Sequence, residues 1–382
     1  LNTPLSFVIY QSARELPENW DAIAKGTLFL QRDYFEILEH SCPSNMKCFF
    51  IGLFQNNDLV GVALSQFLDL NKLESFGERD QCLKTILRNF AFKRFSSHVL
   101  FLGNCMLTGE NAYAFLDSIP FNEQIKVLHE ARNSIEEILK NQGIQIHLRT
   151  SKDFSKAEKD KINQTPFRNI FQFTTQPNMI FSIPEQWKNE QDYVNALAKK
   201  YRDQYKRARK KAEGVVKRKL LLTEIEQNKE LIYDLYYHVA KNAPFNSFFL
   251  SKNHFSDLKR IWGDNFLFYG YFLDGRLIGF NTLIKNGQAM DTYFLGYDET
   301  LQREKMLYLN MLYDMIAYSI KKEFKTIIFA RTALEIKSSV GAKPETMYGL
   351  MEHKNPIINR FLPRLFNYLE PKTIWQERNP FK

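Results

Sequence analysis

No stretch of this chain approaches the ~18 consecutive apolar residues that a membrane-spanning helix requires. Leu1–Tyr10 lacks the basic region, apolar run and small-residue cleavage site of a signal peptide. Both absences point to a soluble cytoplasmic protein, or one held peripherally at the inner membrane. Cysteine is sparse. Cys42, Cys48, Cys82 and Cys105 all lie in the first third, and no two form a C-x-x-C pair. The seven histidines show neither H-x₃-H nor H-E-x-x-H spacing. Free thiols in a reducing compartment and no structural metal are the expectations. No low-complexity tract or Pro/Gly-rich linker interrupts the 382 residues. Two domains of ordinary size, 1–180 and 181–382, are therefore expected to follow one another directly.

Apolar side chains are plentiful: 44% of residues are hydrophobic, and 33 are Phe, enough for two real cores. Charge is unbalanced at +9, which favours anionic partners. Eleven of the cations fall in Lys199–Lys219, opposed only by Asp203 and Glu213. Ala198, Tyr201, Tyr205, Ala208 and Ala212 recur there at helical spacing, so the segment predicts a helix with an apolar stripe inward and cations outward. That helix admits three readings: a solvated face, a site for an anionic small-molecule or lipid-linked substrate, or a surface for RNA such as tRNA. DNA is not expected.

A repeat organises the chain. Cys48–Phe54 and Leu59–Phe67 predict a strand pair around the turn formers Gln55 to Asp58. Phe266–Phe272 and Arg276–Ile284 predict another around Asp274-Gly275. At an offset of 218, Phe50, Gly52, Phe54, Leu59 and Gly61 meet Phe268, Gly270, Phe272, Leu277 and Gly279. Five identities in twelve positions exceed the roughly one that background usage supplies. Each half then predicts an amphipathic helix, Phe121–Asn141 (ended by Gly143) and Met306–Lys322. A strand follows each, Ile144–Leu148 or Thr326–Ala330, running into Arg149-Thr150 or Arg331-Thr332 at an offset of 182. The first half thus carries about 36 extra residues, near Asn71–Gly109. The second half adds helices at Lys229–Lys241, Lys252–Trp262 and Ala333–Val340, and a third meander strand at Gln288–Gly296. Antiparallel strands followed by a strand–helix–strand crossover predict a mixed α/β (α+β) sheet with helices on its faces.

This order resembles the GNAT acyltransferase fold. The duplication is similar to the tandem-GNAT group that contains the Fem-type peptidoglycan aminoacyltransferases. Three segments carry the likeness: Leu197–Lys211, Ala289–Asp298 and Phe329–Pro344. The resemblance implies two tandem GNAT-like domains, with the first degenerate and the second holding the active site. It also implies acyl transfer to an amine, from acyl-CoA or acetyl-CoA, or from aminoacyl-tRNA. There is a departure. The family's Arg/Gln-x-x-Gly-x-Gly/Ala loop would fall on Gln302-Arg303-Glu304-Lys305-Met306-Leu307, where both glycines are missing. Backbone N–H groups lose the close approach to phosphate that glycine allows. A non-catalytic tandem-GNAT module that binds an anionic ligand or RNA is the alternative this favours.

In a GNAT-like unit the reacting groups meet where the central strands splay, beside a helix N-terminus. Amine attack on a thioester or ester carbonyl needs a base and a proton donor. Asp291, a carboxylate on a central strand, is the candidate base; a salt-bridged or solvent-facing role stays open. Tyr293 is a candidate donor or a packing residue. Glu335 and Lys337 flank Ile336 and do not face one another on a helix, so one of them can point into the cleft. The catalytic candidates are Asp291, Tyr293 and Glu335. The cofactor-binding candidates are Leu295, Gln302, Arg303, Lys305 and Met306, and the substrate-binding candidates are Lys200, Arg202, Arg331 and Lys337. Arg149 would be the inert counterpart of Arg331, and His353 reads as a structural or exposed loop histidine.

Overall fold

The computed structural model describes residues 4–72, 96–243, 246–369 and 375–382. Cys82 and most of the expected extra stretch, 73–95, lie outside the described residues. The chain forms two units. One comprises Leu1–Thr175, Ser247–Ser251 and Thr346–Lys372; the other comprises Gln176–Asn246, Lys252–Glu345 and Thr373–Lys382.

The fold is the mixed α/β arrangement, one sheet per unit. In chain order, β1 (Ser6–Tyr10), β2 (Met46–Gln55), β3 (Asp58–Asp69), β4 (His98–Leu102), β5 (Tyr113–Phe115), β6 (Leu148–Phe154) and β7 (Phe171–Thr174) belong to the first. Then β8 (Asn178–Ser182), β9 (Val215–Lys219), β10 (Phe266–Leu273), β11 (Arg276–Asn286), β12 (Ala289–Tyr297), β13 (Thr326–Ala330) and β14 (Lys343–Glu345) form the second. The last strand, β15 (Tyr348–His353), returns to the first sheet. The spatial orders are β1-β2-β3-β4-β6-β15-β7, with β5 also on β3, and β9-β10-β11-β12-β13-β8-β14. Each sheet has one parallel pair, β4 with β6 and β12 with β13, among antiparallel neighbours. The sixth place is filled in the first sheet by β15, from the far end of the sequence, and in the second by β8, the strand that opens unit 2.

The repeat holds to the level of single hydrogen-bond partners. Both hairpins close on a two-residue turn with φ positive at both positions, Asn56-Asn57 and Asp274-Gly275. That is the turn whose twist matches the flanking strands, and these residue types tolerate it. Both carry a bulge at the same place: Leu53 pairs with Gly61 and Phe54 with Leu59, as Tyr271 pairs with Gly279 and Phe272 with Leu277. The shared glycines have a shared steric reason. A Cβ on Gly52 would stand 3.1 Å from the Phe54 ring and 3.3 Å from Leu59; on Gly270, 2.8 Å from Phe272 and 3.0 Å from Leu277.

The second correspondence is corrected. Helix Phe121–Asn141 forms as expected, with Gly143 at φ 78 behind it. The strand, however, is Leu148–Phe154, not Ile144–Leu148. Ile144 and Ile146 alternate because they fill the core under β4, not because they join the ladder. Pairing begins at Leu148 opposite Val99 and puts Thr150 opposite Phe101, as Ile328 is opposite Asp291. Thr150 therefore matches Ile328, and the recurrence of Arg-Thr is coincidental. Arg149 is not a relic of Arg331: it donates from Nε to the buried Glu136 carboxylate at 2.7 Å.

In unit 2, Leu283, Met290 and Ile327 on one sheet face and Leu309, Leu312, Ile316 and Ile320 from helix Leu307–Lys321 form one buried cluster. Burial of each such side chain stabilises by about 1.5–3 kcal/mol. On the opposite face, helix Lys229–Lys241 approaches β12 so closely that a Cβ on Gly296 would lie 2.5 Å from the backbone of Leu235 and Tyr236. Backbone cannot rotate away as a side chain can. Gly296→Ala is expected to destabilise the protein by about 3 kcal/mol in urea unfolding. Gly26→Ala, with nothing within 4 Å, is expected to be near neutral.

Candidate active site

The candidate site grows from a mismatch in unit 2. Asn281 pairs with Leu295 and Leu283 with Thr292, so Tyr293 and Phe294 together face the single Thr282. Thr282 Oγ1 donates to the Phe294 carbonyl at 2.6 Å. The bulge bends β12. Its parallel ladder with β13 runs from Ala289 to Asp291 against Thr326 to Ile328, and among the described residues no pair follows. Thr292 Oγ1 donates to the Ile328 carbonyl at 3.0 Å, and the strands part beyond it.

Asp291 stands at that parting, 6% exposed. Met290 takes the face of the apolar cluster, so alternation turns Asp291 to the other face. Asn286 Nδ2 donates to its carboxylate at 3.1 Å. Burial pushes its pKa up to about 7, and the Asn286 hydrogen bond only partly opposes this. Tyr293 follows two residues on, and its hydroxyl meets Nε2 of the fully buried His254 at 2.9 Å. Sequence reasoning missed His254, which opens helix His254–Trp262 thirty-seven positions before Asp291. Only tertiary packing joins it to Tyr293.

A second group gathers where β13 ends. Ala330, Thr332 and Ala333 all have positive φ (57, 67 and 47°). Such backbone is costly for a β-branched Thr. Lys337, on helix Leu334–Ser339, donates from Nζ to the carbonyls of Arg331 (2.6 Å) and Ala330 (3.3 Å) and so holds this turn. Burial lowers its pKa to about 7. Arg331 is half-buried in the same turn. Glu335 faces away into an ion pair with Arg378, whose Nε donates to it at 3.0 Å.

The third group follows β12. Gln302, Arg303 and Lys305 lie on the short helix Glu299–Lys305, and Met306, at φ 48 ψ 43, joins it to Leu307–Lys321. Met306 makes in left-handed backbone the break for which glycine is the usual choice. No side chain caps the second helix at Met306, while Asn310 Nδ2 donates back to the carbonyls of Lys305 and Met306. Lys305 is half-buried and Arg303 exposed. This end suits negative charge but lacks the open backbone cradle of two glycines. Leu295 lies on β12 past the bulge. Lys200 and Arg202 sit on helix Lys199–Lys211; Lys200 is exposed, and Arg202 donates to the Leu197 carbonyl at 2.9 Å.

Unit 1 shows what the same framework is without these features. Gln66 matches Ile284 by the offset of 218, and its partner Phe101 stands where Asp291 stands in unit 2. After Leu102 the chain leaves the sheet and returns at β5. Asn104, Met106 and Thr108 of that loop are buried. Lys152 Nζ holds it through the carbonyls of Asn104 (2.8 Å) and Leu107 (2.9 Å), and Asn104 Nδ2 donates to Tyr34 at 2.9 Å. A 570 Å³ groove elsewhere in unit 1, lined by Arg14, Arg32, Glu39, Cys42 and Lys47, includes none of the candidate residues. Cys42, Cys48 and Cys105 are free thiols. His353 is buried on β15, where its Nδ1 accepts from the Asn355 backbone at 2.9 Å.

Among the described residues, no group of three His, Cys, Asp or Glu side chains is placed to hold a metal, and no helix is long and apolar enough to cross a membrane. No family model and no curated protein matches this sequence. Solved structures do match. The crystal structure of FemX is similar over 96% of this chain and 100% of that one, with a TM-score of 0.54 and 12% identity. A tandem GNAT protein from the clavulanic acid biosynthesis pathway is similar over 92% of this chain and 99% of that one, with a TM-score of 0.52 and 8% identity. The chain has the tandem-GNAT, Fem-like fold.

The buried carboxyl has a consequence for stability. Its folded pKa, about 7, lies above the unfolded value of about 3.9, so the folded state holds the extra proton between them. Stability from this group is full below about pH 4 and is lost as pH rises to about 7. Asp291→Asn should therefore be more stable than the parent at pH 8, by as much as about 4 kcal/mol. The difference should vanish near pH 4 in urea unfolding.

Proposed function

We propose that this chain is an N-acyltransferase whose active site is the parting of β12 and β13 in unit 2. The observation that carries this reading is Asp291: a carboxyl with its pKa near 7, desolvated, at the point where two parallel strands separate. A base for an amine works best with a pKa close to the operating pH. Asp291 takes the proton as the amine attacks the acyl carbonyl. Tyr293 donates to the leaving group and is resupplied through His254, 2.9 Å away. Backbone groups of β12 beyond Thr292, including Leu295, no longer serve β13 and can pair with an extended donor. Lys305, Arg303, Gln302 and Met306 supply the anion-favouring end of the third group. Arg331 is the substrate-side cation, with Lys200 and Arg202 further candidates, while Lys337 acts through the turn whose carbonyls it holds. Glu335, already paired with Arg378, is the weakest catalytic candidate.

The donor is acyl-CoA or an aminoacyl-tRNA. The missing glycines and the left-handed Met306 favour a donor that does not rely on a backbone pyrophosphate cradle. The acceptor is an amine of a cell-envelope, lipid or peptidoglycan precursor. The Fem-like fold is the support for this acceptor class, and Phe101 in place of Asp291 supports a first unit without chemistry of its own. Wild-type kcat/KM is expected to rise with pH through about 7, as Asp291 loses its proton. Asp291→Asn should lower it by about 10²–10⁴-fold and abolish that limb. Tyr293→Phe should slow transfer less. Retention of full transfer by Asp291→Asn would remove the site assignment. Saturable heat on titration with acetyl-CoA supports the CoA-dependent form. A flat trace with transfer from aminoacyl-tRNA supports the other, and transfer from neither donor leaves a binding module.

A further inference from the structure

Helix Lys199–Lys211 of unit 2 sorts its cations by face. The inward face is committed to structure. Ala208 is fully buried, and Tyr201 and Tyr205 pack on the core cluster. Arg209 donates to Asp314 at 2.8 Å and to Glu190 at 2.5 Å, tying the helix to Leu307–Lys321. The outward face holds Lys199, Lys200, Lys206, Arg207, Lys210 and Lys211, all exposed. At 100° per residue these six fall within about 140° of arc and along about 18 Å. Asp203 is the one carboxylate on that arc. Among the described residues none of the six is paired with an acid, whereas Arg218, Lys219 and Arg276 of the same unit are.

Six like charges on under four turns repel one another, and the single carboxylate of Asp203 offsets only a small part of them. A partner that supplies a dense field of negative charge does. The character of the face selects the partner. Both tyrosines are turned into the core, so the outward face offers no aromatic ring on which a nucleobase could stack. Its cations form a straight, convex ridge, which a flat array of headgroups can meet along its whole length. Later in sequence, Val216 on β9 and Leu221 are 61% and 63% exposed, two apolar side chains of the same unit. We propose that the outward face of helix Lys199–Lys211 docks this protein on an anionic lipid bilayer. Clusters of four to eight Lys/Arg on one helix are of the size that binds such surfaces.

The test is co-sedimentation of the full chain with vesicles of phosphatidylcholine alone, or with roughly one third phosphatidylglycerol. Binding is expected to the anionic vesicles only, and to weaken steeply as salt is raised. The pair Lys206→Gln and Lys210→Gln should lower it about tenfold or more with an unchanged melting temperature, because neither side chain touches the core. Replacing all six by Gln should abolish it. Arg14→Gln with Lys47→Gln, in unit 1, should leave it unchanged. Equal binding to neutral vesicles, or no effect of the Lys206/Lys210 pair, overturns the proposal. So does displacement from anionic vesicles by single-stranded RNA at equal phosphate concentration, which would make this a nucleic-acid face. Vesicle binding is read without catalysis, so its failure is separate from any failure of the acyltransferase reading.

Discussion

Most of what distinguishes unit 2 depends on two residues of β12 facing one residue of β11. The extra residue at Tyr293 and Phe294 tips β12 out of register with β13, and the ladder stops at Asp291. Sheet interiors rarely leave backbone groups unpaired, because an unmet N–H or C=O away from water costs as much as a lost hydrogen bond. Here the disruption is held in place. Thr282 bonds the bulged carbonyl, Thr292 bridges to Ile328, and Gly296 lets helix Lys229–Lys241 lie against the bent segment. A bulge placed elsewhere would put neither a carboxyl nor Tyr293 at the gap.

Two ionisable groups with opposite native charges border this region, and desolvation drives both towards neutrality near pH 7. They differ in what they touch. Asp291 has one amide donor. Lys337 spans two carbonyls of a turn with three left-handed non-glycine residues, which links its burial to the shape of the β13 end. Removing Lys337 would act first on that turn. Asp291 holds no comparable structural bond, which is why it is the better placed for chemistry.

Duplication explains both the similarity and the inequality of the halves. Turn, bulge and glycine contacts recur at one offset, and the sheets have the same order of pairings. Among the described residues, unit 1 departs where it inserts Gly103–Ala112 at the position of the bulge and buries most of it. Cys105 N donates to Gln66 Oε1 there at 2.6 Å, and Lys152 reaches across to its carbonyls. The insertion stands in unit 1 where β12 of unit 2 carries its bulge. The first sheet also takes its sixth strand, β15, from the far end of the sequence, so the chain leaves unit 1 and returns to it.

The hairpins, their turns, the helix Phe121–Asn141 and the duplication were legible in the residues, because short-range rules govern them: alternation, turn chemistry and helical spacing act within about twenty positions. Gly52 and Gly270 announced themselves by recurring. The strand after the first helix was misplaced, because Ile144 and Ile146 obey the same alternation whether they pair or merely pack. Asp291 could be suspected from a carboxylate in an apolar strand; its isolation from cations could not. His254 carried no signal at all, since its partner is set by how a helix crosses the sheet. The sequence by itself determined the local elements and their repetition. Only the tertiary structure decided which face Asp291 takes, what Tyr293 meets and which unit keeps its strands apart, because burial and hydrogen-bond pairing between distant segments are properties of packing and not of spacing.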